Sequence, residues 1–102
     1  MKYTQYQKII GLMCKYPEKW FYPYDFMQEG FYFVGYKAPT RIAELANEYP
    51  NLFVSRTRGK YVQRKLNTEN SDWFYDLPKD LRFRVHRSGL SKYIKPKEVQ
   101  HG

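Results

Sequence analysis

The chain has 102 residues and a formal net charge of +8, and 20% of its residues are aromatic. This length is typical of one domain with a single modest core, and so many Phe, Tyr and Trp side chains argue against a disordered chain. Cys14 is the single cysteine, which excludes an intrachain disulfide. No run approaches the ~20 apolar residues of a membrane-spanning helix. We therefore expect a soluble, cytoplasmic protein with no membrane partner.

The positive charge is concentrated in the second half of the chain. Residues 1–50 hold six Lys/Arg and five Asp/Glu, whereas residues 51–102 hold twelve and five. The excess lies in two stretches without acidic residues, 56–65 and 82–97, separated by an acidic connector. A charge distribution of this kind favours a polyanionic partner. The alternative is a basic surface that serves solubility alone.

The first predicted helix covers residues 5–15. Thr4 followed three residues later by Gln7 is the pattern of a capping box, and Pro17 ends the helix. Apolar residues recur behind the cap at helical spacing: Tyr6, Ile9, Ile10, Met13 and Cys14. We therefore expect the Cys14 thiol to lie in the core, where it acts as a small hydrophobic group and not as a nucleophile.

An aromatic segment and a short second helix follow. Residues 20–22, Trp-Phe-Tyr, predict a single strand or an extended segment. Pro23 suits the first position of a helix because its missing N–H is not needed there, so a short helix is predicted over residues 24–28. Gly30 ends that helix, and an apolar turn region follows over residues 31–36.

The third predicted helix covers residues 37–48, with Pro39 in its first turn and Pro50 beyond its end. Four residues form its apolar face: Ala38, Ile42, Leu45 and Ala46. Five polar residues form the opposite face: Lys37, Thr40, Arg41, Glu44 and Asn47. After this helix, residues 52–56 and 61–66 predict two strands of a β-hairpin whose tip, residues 57–60, is basic.

The C-terminal third is predicted to be an extension over residues 67–87 and a mobile, basic tail over residues 88–102. Trp73, Phe74 and Tyr75 should fold back onto the body, because leaving all three wet would expose a large apolar patch. The extension holds apolar residues at every second position, which favours a strand: Leu81, Phe83 and Val85. Asp76 and Pro78 could equally start a short helix here.

The order of these elements resembles the winged helix-turn-helix superfamily of DNA-binding domains, of the phage or prokaryotic type. The resemblance covers residues 3–66 and is carried by residues 35–45, GYKAPTRIAEL, as a recognition helix and by residues 53–62, FVSRTRGKYV, as a wing. It implies an α+β fold, a winged helix with three helices and a two- or three-stranded antiparallel wing, over residues 1–66. The connection at residues 29–36 is longer than the roughly three or four residues of a tight helix-turn-helix.

The resemblance also implies where double-stranded DNA would bind. The N-terminal polar residues of a helix in the major groove reach base edges, and those here are Lys37, Thr40, Arg41 and Glu44. Basic residues of the hairpin suit phosphates or the minor groove, and those here are Arg56, Arg58, Lys60 and Arg64. The helix residues could instead be an ordinary solvated face. Clustered like charges across a turn are harder to explain without a ligand.

Other chemistry is not expected from this sequence. One cysteine and two histidines cannot supply a four-ligand zinc site, and no glycine-rich phosphate loop occurs. We therefore expect a non-catalytic regulator or accessory factor with no metal, cofactor or small-molecule substrate. Two alternatives stay open: a protein-interaction module on the same scaffold, or an RNA or single-strand binder. A homodimer formed through residues 73–85 and a monomer are both consistent with the sequence.

Overall fold

Four α-helices, one 3-10 helix and a two-stranded antiparallel sheet make up the part of the chain that the structure, a computed structural model, describes: residues 4–27, 34–90 and 94. The order is α1 (Gln5–Lys15), the 3-10 helix (Pro23–Phe26), α2 (Ala38–Glu48), β1 (Phe53–Arg58), β2 (Tyr61–Leu66), α3 (Trp73–Asp76) and α4 (Lys79–Arg87). The predicted α+β class is confirmed.

The start of α1 is set by the capping box that the sequence predicted. The Gln7 backbone N–H donates to Thr4 Oγ1 at 3.2 Å, and the Thr4 backbone N–H donates to Gln7 Oε1 at 2.7 Å. These two bonds satisfy donors that a helix N-terminus otherwise leaves without partners. Four of the five residues of the predicted apolar face of α1 are buried, including Cys14 with its thiol, and the fifth, Tyr6, is half-buried.

The predicted strand at residues 20–22 is reduced to one paired residue, Phe21. Its N–H donates to the Arg64 carbonyl at 2.8 Å, and its carbonyl accepts from the Arg64 N–H at 2.9 Å. Pro23 follows two residues later, and a proline has no N–H to continue a ladder of hydrogen bonds. Phe21 is therefore a single antiparallel bridge at the free edge of β2.

The predicted α-helix at residues 24–28 is instead the 3-10 helix Pro23–Phe26. Pro23 occupies its first turn, and the Tyr22 N–H donates to the Asp25 carboxylate at 2.8 Å. This single turn is closed locally, which is typical of short 3-10 segments. The predicted end at Gln28, and residues 31–33 of the apolar turn region after it, lie outside the described residues.

The third predicted helix and the hairpin are confirmed with small shifts in their bounds. Helix α2 begins at Ala38, with Lys37 as its N-cap. Strands β1 and β2 pair from Phe53 opposite Leu66 to Arg58 opposite Tyr61, so the tip contains only two residues. Gly59 has φ +62° there, a left-handed conformation that glycine adopts without a steric penalty.

The strand predicted from the alternation of Leu81, Phe83 and Val85 is wrong, because these residues lie in helix α4. Leu81 and Val85 are one helical turn apart and are both buried, whereas Phe83 is 57% exposed on the opposite side. The alternative of a short helix beginning near Pro78 was the correct one, and Pro78 is its N-cap. Two apolar residues four positions apart fit both periods, so burial of α4 against α1 decides between them.

One hydrophobic core joins the whole described chain. Helix α1 packs against both α2 and α4, and α2 packs against the 3-10 helix. Trp73 and Phe74 are buried, as predicted, and Trp73 Nε1 donates to the Asn67 carbonyl at 2.8 Å. Each helix in the described ranges is too short or too polar to cross a bilayer.

The core extends into the segment that we predicted to be a mobile tail. Leu90 is 2% exposed, and Ile94 is partly buried against the same core. A leucine buried to this degree contributes roughly 1.5–3 kcal/mol of transfer free energy, so a position such as Leu90 helps to hold the fold. Residues 91–93 and 95–102 of the predicted tail lie outside the described part of the chain.

Candidate nucleic-acid interface

Arg41 and Glu44, two of the four helix residues predicted to reach DNA bases, interact within the protein. Arg41 Nη1 lies 2.9 Å from Glu44 Oε1, and Arg41 Nε donates to Gln5 Oε1 at 3.2 Å. The two side chains keep 31% and 43% of their exposure. Their polar groups therefore connect α2 to α1 as well as facing solvent.

Tyr6 completes this connection between the two helices. Its hydroxyl donates a hydrogen bond to the Glu44 carboxylate, and the Arg41 guanidinium lies 5.8 Å from the centre of its ring. The bond to Glu44, followed by burial, raises the pKa of Tyr6, while the same bond lowers the pKa of Glu44. Both shifts favour a neutral Tyr6 beside a charged Glu44, which is the state that supports the α1–α2 contact.

The most exposed residues of α2 are not the same set as the predicted site residues of this helix. Lys37 and Thr40 are exposed as predicted, and Ala43 and Asn47 are exposed as well. Thr40, Ala43 and Asn47 are spaced by three and four residues, so they lie along one face of the helix. Asn47 belonged to the predicted polar face but was not among the predicted site residues. Asn47 also lines the acidic cleft between α2 and α4 that is described below.

The register of the hairpin separates its side chains into two faces. Phe53 and Leu66 are buried against the core, and Arg64, which pairs with Ser55, belongs to the same face. We call the opposite side the outer face. Six residues alternate onto it, of which Gln63 is buried and Lys65 is half-buried: Val54, Arg56, Arg58, Tyr61, Gln63 and Lys65. The structure therefore places Arg56 and Arg58 together and Arg64 on the other side of the sheet.

The hairpin tip carries exposed cations. Arg58 and Lys60 are exposed, and neither has a carboxylate within ion-pair distance in the described part of the chain. Their backbone belongs to a paired two-residue turn, which confines both residues to the end of the hairpin. A rigid element that presents uncompensated positive charge is suited to phosphate groups.

Arg56 is held more firmly than the cations of the tip. Its Nε donates to Gln63 Oε1 at 2.8 Å, and its guanidinium lies 4.2 Å from the centre of the Trp20 ring. Lys65 approaches the same ring at 5.1 Å and lies 3.5 Å from the Glu18 carboxylate. Arg56 is nevertheless exposed, so it presents an oriented charge beside the outer face. Arg64, by contrast, is half-buried, and its Nε has no hydrogen-bond partner among the described residues.

Three tyrosines form a cluster at the edge of the outer face, and none of them was predicted as a site residue. The rings of Tyr22 and Tyr24 stack with centroids 5.0 Å apart and an interplanar angle of 12°. Tyr61 meets Tyr22 and Tyr24 edge-on at 5.9 and 5.6 Å. Burial, followed by the proximity of Tyr22 and Asp25, raises the pKa of Tyr24. We call Tyr22, Tyr24 and Tyr61 the tyrosine cluster.

An acidic cleft of about 540 Å3 lies on another part of the molecule, between α2 and the start of α4. Glu44, Glu48 and Asp80 line it together with Tyr49. Burial, then the nearby carboxylates of Glu48, Asp80 and Asp76, raises the pKa of Tyr49. A polyanion is repelled from this cleft, so the C-terminal end of α2 is less suited to phosphates than the hairpin tip.

Comparison of the chain with protein-family models, with curated proteins and with solved structures gave no match. The functional proposal therefore depends on the positions and charges of the side chains described above.

Proposed function

We propose that this protein is a non-catalytic, double-stranded DNA-binding protein that acts as a regulator or accessory factor. The observation that carries the proposal is the rigid hairpin tip, where Arg58 and Lys60 are exposed and have no acidic partner in the described part of the chain. Arg56 adds a third oriented cation next to them. Together with the net charge of +8, this arrangement favours a ligand with closely spaced negative charges.

The α+β arrangement is compatible with a winged helix, in which the hairpin contacts phosphates or the minor groove while α2 enters the major groove. In that arrangement, the exposed Lys37 and Thr40, at the start of α2, are its side chains best placed to reach base edges, whereas Asn47 lines the acidic cleft. Arg41 and Glu44 would support the orientation of α2 through their contacts with α1. This division of roles modifies the expectation from sequence, in which Arg41 and Glu44 were themselves base-reading residues.

Titration of a labelled duplex of about 20 base pairs at several salt concentrations tests the proposal. If roughly four to six phosphates are contacted, log affinity should fall against log salt with a slope of about −4 to −5. A random-library selection on the same protein would then identify any preferred sequence. Failure to bind duplex at low salt would reject DNA as the partner and favour the alternative of a protein-interaction module.

A further inference from the structure

The outer face of the hairpin combines accessible aromatic rings with cations, and contact with duplex phosphates does not account for the rings. Tyr61 is 52% exposed although it contacts two other tyrosines. If Tyr61 only packed against the core, we would expect less of its ring to be exposed to solvent. Val54, farther along the same face, is also exposed, as is Val62 on the opposite face. Tyr61 therefore keeps an accessible aromatic ring within a basic part of the chain.

The register places cations directly beside the aromatic rings. Arg58 pairs opposite Tyr61, and Arg56 is the next residue of β1 on the same face. Trp20, at the other end of the face, has Arg56 and Lys65 within 4.2 and 5.1 Å of its ring centre. The surface thus offers rings for stacking and positive charges for a phosphate backbone within a few ångströms of each other. Both are needed to bind a strand whose bases are unpaired.

Contact with duplex DNA would use the positive charges of this surface but not its aromatic rings. The bases of a duplex stack on one another inside the helix, so a tyrosine ring on a protein surface cannot stack on them unless the base pairs are unstacked or opened. Unpaired bases have free π-faces, and stacking on an aromatic side chain tolerates any base. A protein partner would explain the tyrosines, but it would have to neutralise Arg56, Arg58 and Lys60 with its own carboxylates.

We propose that the tyrosine cluster and the adjoining cations of the outer face form a binding site for the unpaired bases of a single-stranded nucleic acid. Tyr61 is the principal stacking residue, because it is the exposed member of the cluster. Tyr22 and Tyr24 support its ring from the side, and Arg58 contacts the backbone phosphates. This site goes beyond duplex binding and does not depend on it.

A comparison of strands with and without bases provides the test. Labelled oligothymidylate and oligouridylate of about 12 nucleotides, and an abasic strand of the same length, are titrated by fluorescence anisotropy. All three carry the same phosphates, but only the first two can stack. We expect oligothymidylate, oligouridylate or both to bind about tenfold or more tightly than the abasic strand. The tighter binder of the two then shows whether the natural ligand is single-stranded DNA or RNA. Equal affinity for all three strands overturns the proposal.

Tyr61→Leu removes the ring and retains an apolar side chain of moderate size. It should weaken binding of the preferred strand about fivefold or more, leave the abasic strand unaffected, and leave the salt slope unchanged. Phe83→Leu is a matched control, because Phe83 is similarly exposed at 57% and has Arg87 6.0 Å from its ring centre, but lies on α4. An equal loss in both variants contradicts a site at Tyr61.

The outcome of the single-strand comparison can be distinguished from the outcome of the duplex titration. If duplex binding fails while the strand with bases still binds more tightly than the abasic strand, the proposed function is rejected and the single-strand site is retained. If duplex binds and bases give no advantage, the hairpin contacts phosphates alone and this inference is rejected. The comparison of strands on the unmodified protein decides the matter even if Tyr61→Leu fails to fold.

Discussion

The guanidinium of Arg84 lies against the backbone of α1 at Gly11, where a Cβ would stand 2.4 Å from Arg84 Nε. The same Nε donates to the Gln7 carbonyl at 3.3 Å. Helix α4 therefore contacts α1 through a charged side chain, at a position where glycine leaves the necessary space. Glycine in the middle of a helix costs roughly 1 kcal/mol relative to alanine, so this packing offsets a local disadvantage.

The contact predicts coupling between the two positions. Gly11→Ala should be more favourable by about 1 kcal/mol or more in an Arg84→Ala background than in the natural chain, because the new methyl group then meets no guanidinium. Denaturant unfolding of the two single variants and the double variant measures this difference. Additive effects within about 0.3 kcal/mol would show that Arg84 does not occupy the space beside Gly11.

Cys14 should be unreactive in the folded protein. Burial raises the pKa of its thiol from 9.0 to about 12, and Arg84 opposes this only in part. The thiolate is the nucleophile, so labelling by a disulfide reagent at pH 8 should be slow and should follow global unfolding. Because the pKa of Cys14 is higher in the folded protein than in the unfolded chain, burial of the protonated thiol contributes stability that is fully present below pH 9. This stabilisation is lost as the pH rises toward 12. Rapid labelling without denaturant would show that the thiol is accessible.

The sequence predicted helix α1 correctly but favoured a strand where helix α4 lies. In α1 the Thr4–Gln7 capping box and five apolar residues fit only the helical period, and the predicted bounds match the structure. In α4, Leu81 and Val85 fit both a strand and a helix, and Phe83 between them completed the alternation that favoured a strand. Its exposure on the solvent side of a helix depends on how α4 packs against α1, which no local pattern contains.

The candidate site was predictable where it is local in sequence. Arg58 and Lys60 lie at a turn that the alternation and Gly59 already indicated. The contact of Arg41 with Gln5 joins residues 36 positions apart, so the spacing along α2 could not reveal it. The tyrosine cluster depends on the Phe21–Arg64 bridge, which brings residues 22 and 24 beside β2. Both features arise from tertiary packing.

Leu90 should contribute to stability as a core residue. Leu90→Ala removes a side chain that is 2% exposed and should cost about 2–4 kcal/mol, as for other buried leucines. Phe83→Ala serves as the control, since the Phe83 ring is 57% exposed and its removal should cost about 1 kcal/mol or less. Thermal unfolding of both variants tests the comparison. Unchanged stability in Leu90→Ala would support the mobile tail that the sequence predicted from residue 88.

Protonation of Glu44 at low pH should weaken the α1–α2 contact and so lower the stability of the protein. The hydrogen bond from Tyr6, and then Arg41, lower the pKa of Glu44 below 4.5 in the folded protein. The stabilisation is therefore present above pH 4.5 and is lost as the pH falls through the lower, folded value. Glu44→Gln should be less stable than the natural chain at pH 7, and the difference should shrink as the pH falls below 4.5. Glu48→Gln, which removes the same charge at an exposed site, is the control; a constant difference across this range would argue against the contact.

The hairpin and α2 should contribute to duplex binding in different ways. Arg58→Ala with Lys60→Ala removes two phosphate contacts, so it should weaken all duplexes alike and flatten the salt slope by about two units. Lys8→Ala with Lys79→Ala removes the same charge from exposed positions on α1 and α4 and should leave the slope nearly unchanged. Thr40→Ala should leave the slope intact and cost about 1–3 kcal/mol on the preferred sequence, with little effect on random DNA, if its hydroxyl reads a base. If the two double variants behave alike, net charge alone accounts for binding. If Thr40→Ala weakens all duplexes equally, α2 does not read sequence through this residue.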